Sequence, residues 1–170
     1  MRSNREMIAT MSSQAQTEGQ TTTLPPGTAE VSSSLICRGI RGATTSPSNT
    51  SEDILEVTRE LVAALVFLND LEPENIVSAI FTTTPDLNAT FPALAAREFG
   101  WTEVPLMCAH EMSVPGSLTS AVRLLLHVNT HRSSSEIRHV YLRDAGQLRP
   151  SWAYTNEELV QILAGTDPRK

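Results

Sequence analysis

Lysine, cysteine and aromatic residues are scarce in this sequence, and the shortages narrow what the protein can be. Lys170 is the only lysine among the 13 lysine and arginine residues. Acidic residues number 19, so the net charge is −6. An acidic chain lacks the basic face that displaces counterions from phosphates, which argues against a nucleic-acid-binding protein. Two cysteines, Cys37 and Cys108, are too few for a disulfide framework and favour a reducing compartment.

Long apolar runs are also missing. None approaches the roughly 18 residues of a membrane span, so we expect a soluble, cytoplasmic protein without a membrane partner. With 40% hydrophobic and 19% charged residues in 170, the chain has the composition of a globular domain. Residues 1–34 are rich in Ser, Thr, Gln and Pro and are predicted to be a disordered N-terminal extension. Its acidic residues do not favour plastid targeting, which stays open.

Strands and helices are predicted to alternate between residues 35 and 150. The pattern indicates strands at 35–41, ending in a glycine-containing turn, in NIVSAIFTTT, in VPLMCA and at 138–143. Helices are predicted from Thr50 or Ser51 to Asn69, at 93–100, and from about Gly116 to residue 130. This order implies an α+β domain with a mixed sheet over 35–150. Residues 151–170 are predicted to be a mobile C-terminal tail, with a helix capped by Thr155 and Glu158.

Four polar residues stand out within these predicted elements or at their ends. Arg123 lies in AVRLLLHV, a segment that looks buried on most sides, so it must snorkel, pair internally or face a cleft that receives an anion. Arg41 ends the first strand, Glu111 follows the third, and Tyr141 lies in the fourth. Together they suit a small ligand that carries carboxylates and hydroxyls.

Other patterns point to no chemistry of their own. GIRGATT lacks the lysine and the spacing of a phosphate-binding loop. His127 and His131 are four residues apart but have no acidic or cysteine partner nearby, so they are better read as core or surface histidines than as metal ligands. Cys108 and His110 share a strand face, yet no acid orients them as a nucleophile and base.

Four sequence blocks resemble the chorismate mutases of the AroH type. They are RGIRGATT, TTTPDLNATFPALAARE, VPLMCAHEMSVPGSL and IRHVYLRDAGQLRP, in the family's order from about residue 37 to 150. The resemblance implies a homotrimer of pseudo-α/β-barrel subunits, with active sites in the clefts between neighbours. It also implies the Claisen rearrangement of chorismate to prephenate in phenylalanine and tyrosine biosynthesis, without a cofactor or metal.

The resemblance also implies roles for individual residues. Arg41 is expected to bind a substrate carboxylate with help from Tyr141, and Arg123 to reach the ether oxygen. Glu111 is expected to hold the substrate hydroxyl, with Cys108 beside it. The remaining expected pocket residues are Phe91, Ala93 and Leu94 across the interface, Arg97 near the mouth, Met107 in the wall, and Leu148 and Arg149 in the tail that closes over the site.

Two positions depart from the family pattern. Leu94 stands where relatives often have lysine, and Met107 replaces a small hydroxyl residue. Both are wall positions, so they bear on affinity or entry and leave the central chemistry in place. Two other functions stay open at this point: a trimeric imine deaminase that grips a carboxylate with arginine, and a non-catalytic trimeric binding protein. Activity on chorismate compared with activity on imino acids separates the mutase from the deaminase. Ligand binding without turnover would indicate the binding protein.

Overall fold

A five-stranded mixed sheet forms the centre of the computed structural model, which describes residues 34–169. The strands are β1 (Ile36–Thr45), β2 (Ile76–Thr83), β3 (Leu106–His110), β4 (Ala121–Thr130) and β5 (Val140–Tyr141). They lie in the order β3-β2-β4-β1-β5. Central β4 is antiparallel to β1 and β2, whereas β3 is parallel to β2 and β5 to β1. The α+β class with a mixed sheet is confirmed. The predicted N-terminal extension falls outside the described residues, apart from Ser34.

Three helices cover one face of this sheet: α1 (Ser51–Asn69), α2 (Ala93–Glu98) and α3 (Asn156–Leu163). Thr50 caps α1 as predicted, because its side chain accepts a hydrogen bond from the Asp53 amide. Leu61 and Leu65 of α1 belong to the same buried cluster as Phe81 of β2 and Leu124 of β4. The core therefore lies between the helices and one face of the sheet. None of the described helices is long and apolar enough to cross a membrane.

The predicted helix from Gly116 to residue 130 is wrong, because most of this segment is strand β4. Its side chains alternate: Val122, Leu124, Leu126 and Val128 are buried against the helices, and the residues between them are only partly buried or exposed. That alternation has a period of two, as a strand requires. Arg123 is consequently a strand residue, and it points away from the helices.

Two predicted strands differ in length from those observed. β1 does not turn at its glycines but continues through Gly42 to Thr45, so Arg41 lies inside the strand rather than at its end. The strand predicted at 138–143 pairs only over Val140–Tyr141, after which a 3-10 turn spans Arg143–Leu148. Arg143 adopts φ 51°, a left-handed conformation that takes the chain out of the strand.

The predicted C-terminal helix is confirmed as α3, with the reciprocal capping box of Thr155 and Glu158. Leu159 and Ile162 of α3 are buried in the main core cluster. Beyond the helix, Asp167 lies 3.3 Å from the Arg138 guanidinium. The helix is thus packed onto the core. The division at residue 150 and the mobility of the tail stay predictions.

Candidate active site

Residues 34–169 leave much of the sheet face opposite the helices open, although Ala43 and Tyr141 at its β1–β5 edge are buried. We call it the open face, and it carries Arg41, Ile80, Thr82, Met107, Arg123 and Leu125. Its strand register brings distant parts of the sequence into one row, in which Thr82 of β2 pairs with Arg123 of β4. Arg123 pairs in turn with Ala43 of β1, and Ala43 with Tyr141 of β5. Side chains in such a row project to the same face.

Arg123 is held on the open face by Glu111. The guanidinium Nη1 lies 2.8 Å from Glu111 Oε2, and the two side chains are 23% and 26% exposed. The Thr82 hydroxyl donates a hydrogen bond to the other oxygen of this carboxylate, Oε1. The Glu111 amide donates to the Thr83 carbonyl at 2.8 Å, which continues the ladder between β3 and β2. A carboxylate fixed at both oxygens restricts how the guanidinium can move.

One nitrogen of Arg123 is left without a partner. Its Nε is buried and makes no hydrogen bond in the part of the chain that the structure describes. A buried donor that is not satisfied costs free energy, and an acceptor supplied by a ligand removes that cost. The Nε of Arg123 is therefore a donor that the described part of the chain leaves unsatisfied.

Arg41 lies diagonally across the open face from Arg123, since it pairs with Leu125, two residues further along β4. Diagonal neighbours on antiparallel strands are about 7–8 Å apart. Within residues 34–169 the Arg41 guanidinium forms no ion pair. Two arginines that project from neighbouring positions on one face, with only Arg123 paired to a carboxylate, favour an anion at this face.

Aromatic side chains lie near the Tyr141 end of the row, next to Arg41. Tyr141 is 2% exposed, and its ring centroid lies 5.7 Å from that of Trp152. The imidazole of His139 stacks on Trp152 at 4.0 Å and accepts the Arg41 backbone N–H at Nδ1, at 3.0 Å. Burial lowers the pKa of His139, and the neighbouring Arg41 charge lowers it further. This imidazole is therefore neutral near pH 7.

A separate cleft of about 490 Å³ lies at the end of β3. Phe91, Cys108 and His110 are among its lining residues, and Phe91 is 71% exposed. None of Arg41, Glu111, Arg123 and Tyr141 lines this cleft. Within one chain, the predicted site residues therefore fall into a charged group on the open face and a wall group around Phe91 and Cys108.

The other predicted site residues lie on the periphery. Met107 is exposed on the open face, and Leu94 and Arg97 are exposed on α2, where Ala93 is buried. Leu148 and Arg149 are exposed in the turn after β5. The Arg149 guanidinium lies 5.4 Å from the Trp152 ring centroid.

Three residues of this neighbourhood were missed from the sequence: Thr82, His139 and Trp152. Their contacts depend on strand register and on the return of the chain after β5, for which the sequence carries no local signal. His127 behaves as expected of a structural histidine, because its Nδ1 lies 2.9 Å from the Ser78 hydroxyl. Within residues 34–169 no group of three or more His, Cys, Asp or Glu side chains gathers as a metal site would require.

Comparison with known proteins agrees with the resemblance seen in the sequence. Residues 37–152 match the sequence model of the family "Chorismate mutase type I". The chain is 43% identical to chorismate mutase AroH of Bacillus subtilis over 127 residues, which are 74% of this chain and all of that protein. It is 46% identical to chorismate mutase AroH of Thermus thermophilus over 116 residues, which are 68% of this chain and 95% of that protein.

A solved structure shares the fold as well. The chorismate mutase from Clostridium thermocellum superposes with a TM-score of 0.64 at 47% sequence identity. The match covers 65% of this chain and 98% of the other.

Proposed function

The chain belongs to the type I chorismate mutase family, and we propose that its reaction takes place against the open face of the sheet, between Arg41 and Arg123. The enzyme is an isomerase that converts chorismate to prephenate, a step of aromatic amino acid biosynthesis. In this rearrangement the ether C–O bond breaks while a C–C bond forms, so no proton has to move and no nucleophile is needed. The protein must hold the substrate in a reactive geometry and stabilise the developing charge.

Arg41 and Arg123 divide these tasks. Arg41, whose guanidinium is unpaired in the described chain, binds a substrate carboxylate together with Tyr141. Because the carboxylate carries the same charge before and during the reaction, this contact binds the ground state and the transition state alike. Its contribution is to bind the substrate next to the second arginine, so its loss is expected in KM.

Arg123 stabilises the ether oxygen as negative charge develops there. The observation that carries this proposal is the geometry of its guanidinium, which Glu111 fixes while Nε is left buried without an acceptor. A fixed cation interacts most strongly when the oxygen is most negative, so the contact favours the transition state. Glu111 accepts a hydrogen bond from the substrate hydroxyl and holds Arg123, and it does not act as a general base. Cys108 lies in the middle of β3, on the face that packs against the core, and belongs to the wall group rather than to the charged group.

The wall residues support an assembly in which neighbouring subunits complete each site. Arg123 and Phe91 belong to separate groups within one chain, and the open face exposes Met107 beside the partly buried Ile80 and Leu125. An exposed apolar patch on a sheet face marks a surface that another protein or a ligand covers. We therefore propose a homotrimer of pseudo-barrel architecture with interfacial sites. In it Ala93, Leu94 and Arg97 face the site of a neighbour, and Leu148 and Arg149 lie at its rim.

Arg123→Ala tests the central assignment, and Arg59→Ala is its matched control. Arg59 also pairs with a glutamate at 2.8 Å, but this pair with Glu98 is exposed on the helical side of the molecule. Loss of one donor to a developing oxyanion costs about 3–4 kcal/mol, so we expect kcat to fall by about 10²- to 10³-fold for Arg123→Ala. Arg123→Lys should also be impaired because the guanidinium geometry is lost. Arg59→Ala should turn over like the parent.

The assay is the loss of chorismate absorbance, with prephenate identified as the product. An unchanged kcat for a folded Arg123→Ala variant refutes the role of Arg123. A similar loss in Arg59→Ala shows a general effect of removing an arginine.

A further inference from the structure

The position of Arg41 depends on the residues that precede the short edge strand β5. Backbone pairing between β1 and β5 covers only Gly42 with Val140 and Ala43 with Tyr141. One residue earlier in each segment, the Arg41 N–H is donated to Nδ1 of His139, at 3.0 Å. A side chain thus supplies the acceptor that a longer strand would supply from its backbone.

The same imidazole contacts the segment that follows the strand. Its ring centroid lies 4.0 Å from that of Trp152, with an interplanar angle of 41°. Trp152 also packs near the ring of Tyr141 and under the guanidinium of Arg149. His139 therefore joins the strand that carries Arg41 to the turn that carries Arg149.

The neutral form of His139 is the one that fits this position. Nδ1 accepts the Arg41 N–H, so it carries no proton and the ring proton is on Nε2. The ring is half-buried, with Arg41 next to it on β1 and the cation of Arg149 5.4 Å from the ring centroid of Trp152. Burial and the Arg41 charge both lower the pKa of His139, which supports the same assignment.

We propose that His139, with Trp152, is a positioning residue of the substrate-binding end: it fixes the backbone at Arg41 and docks the turn of Arg149 beside it. This inference rests on the proposed role of Arg41 as a carboxylate ligand. His139 acts through Arg41, a group that binds the ground state and the transition state alike. Its loss is therefore expected in KM rather than in kcat.

Two substitutions separate the contacts of His139. His139→Phe keeps a ring for Trp152 and removes the acceptor, whereas His139→Asn keeps an acceptor near Nδ1 and removes the ring. Loss of one neutral hydrogen bond changes a binding constant by about three- to tenfold. We therefore expect KM to rise by about that factor in His139→Phe, with little change in kcat. His139→Asn should recover part of the loss.

A double-mutant cycle with Arg41→Ala distinguishes positioning from general stabilisation of the fold. If His139 acts through Arg41, the double variant Arg41→Ala/His139→Phe should have the KM of Arg41→Ala alone. Steady-state chorismate kinetics supply the numbers, and circular dichroism with thermal melting shows that each variant folds. If His139→Phe does not fold, the same cycle is run with His139→Asn.

The outcomes separate this inference from the proposed site. An impaired Arg41→Ala beside an unchanged His139→Phe overturns the inference and leaves the role of Arg41 standing. Multiplicative effects on KM in the double variant overturn it as well, because the two residues then act independently. If Arg41→Ala itself leaves KM unchanged, both the carboxylate site and the role of His139 are refuted.

Discussion

Gly42 lies where α1 approaches the sheet most closely, and Gly42→Ala tests how tightly the two are packed. A β-carbon at this position would lie 2.7 Å from Cδ1 of Leu65 and 3.0 Å from Cδ1 of Leu61. Both leucines are completely buried in the main core cluster, so neither side chain can move into solvent. Gly42 is within β1 and is not in the left-handed region, so alanine meets a steric conflict and no backbone strain.

Two opposing effects set the size of the change. Overpacking of a well-filled core costs about 1–3 kcal/mol. Alanine also restricts the unfolded chain more than glycine does, which stabilises the folded state by about 0.4–1 kcal/mol. We therefore expect a net loss of about 1–2 kcal/mol in the free energy of unfolding.

Gly39→Ala is the matched control, because it makes the same chemical change on the same strand. Its nearest neighbour would be Cδ1 of Leu125 at 3.9 Å, an ordinary van der Waals contact on the open face. Within the subunit only the effect on the unfolded chain remains, so while the state of association is unchanged this variant should match or slightly exceed the stability of the parent.

Urea denaturation at a single protein concentration measures both variants. The urea concentrations at half-unfolding are compared where the free energy of unfolding depends on urea with the same slope. Sedimentation checks that the state of association is unchanged. The packing argument is refuted if Gly42→Ala is as stable as the parent, or if Gly39→Ala loses as much.

Two further predictions concern assembly and the C-terminus. Sedimentation equilibrium should give about three times the chain mass of 18.5 kDa, and a fully active monomer would contradict the proposed interfacial site. Arg169→Ala removes hydrogen bonds to Glu158 and to the Ala153 carbonyl and should lower the stability modestly. The Arg169 hydrogen bond holds the pKa of Glu158 below its ordinary value of 4.5. This contribution is present above that pH and is lost as the pH falls through the lowered pKa. The difference in urea midpoint between the parent and Arg169→Ala should therefore be smaller at about pH 3 than at about pH 6. An equal difference at the two pH values would contradict the assignment.

Elements with local signals were predictable from the sequence. Helix α1 begins at a capping threonine, Thr50, and keeps one apolar face to Asn69. The capping box of Thr155 and Glu158 likewise located α3. In these segments one face meets the core and the other meets water, so the hydrophobic pattern has a clear period.

Strand β4 was misread because that contrast is missing from it. Leu124 and Leu126 face the helices, while Leu125 between them lies on the open face. Three consecutive leucines conceal a period of two, and leucine favours helices in isolation. The misreading is informative in itself, since an apolar residue on the uncovered face is what a sheet covered by a neighbouring subunit would carry.

The composition of the charged group was predictable, but its geometry was not. Strand-end polar residues and the family resemblance pointed to Arg41, Glu111, Arg123 and Tyr141. The contacts that fix them are set by pairing between distant segments, as with Thr82, which lies opposite Arg123 and binds Glu111. Register of this kind follows from the whole sheet, so no window of sequence contains it.

Arg123 lies on a central strand rather than on a helix, and this placement supports its proposed role of stabilising the ether oxygen. β4 is paired on both sides, and Arg123 is flanked in its row by the smaller side chains of Thr82 and Ala43. Smaller neighbours leave the guanidinium free to turn towards Glu111, while pairing on both edges holds its backbone. Stabilisation of a developing charge requires a donor that does not have to reorganise during the reaction. A doubly paired strand supplies that rigidity at the backbone, and Glu111 with Thr82 supplies it at the side chain.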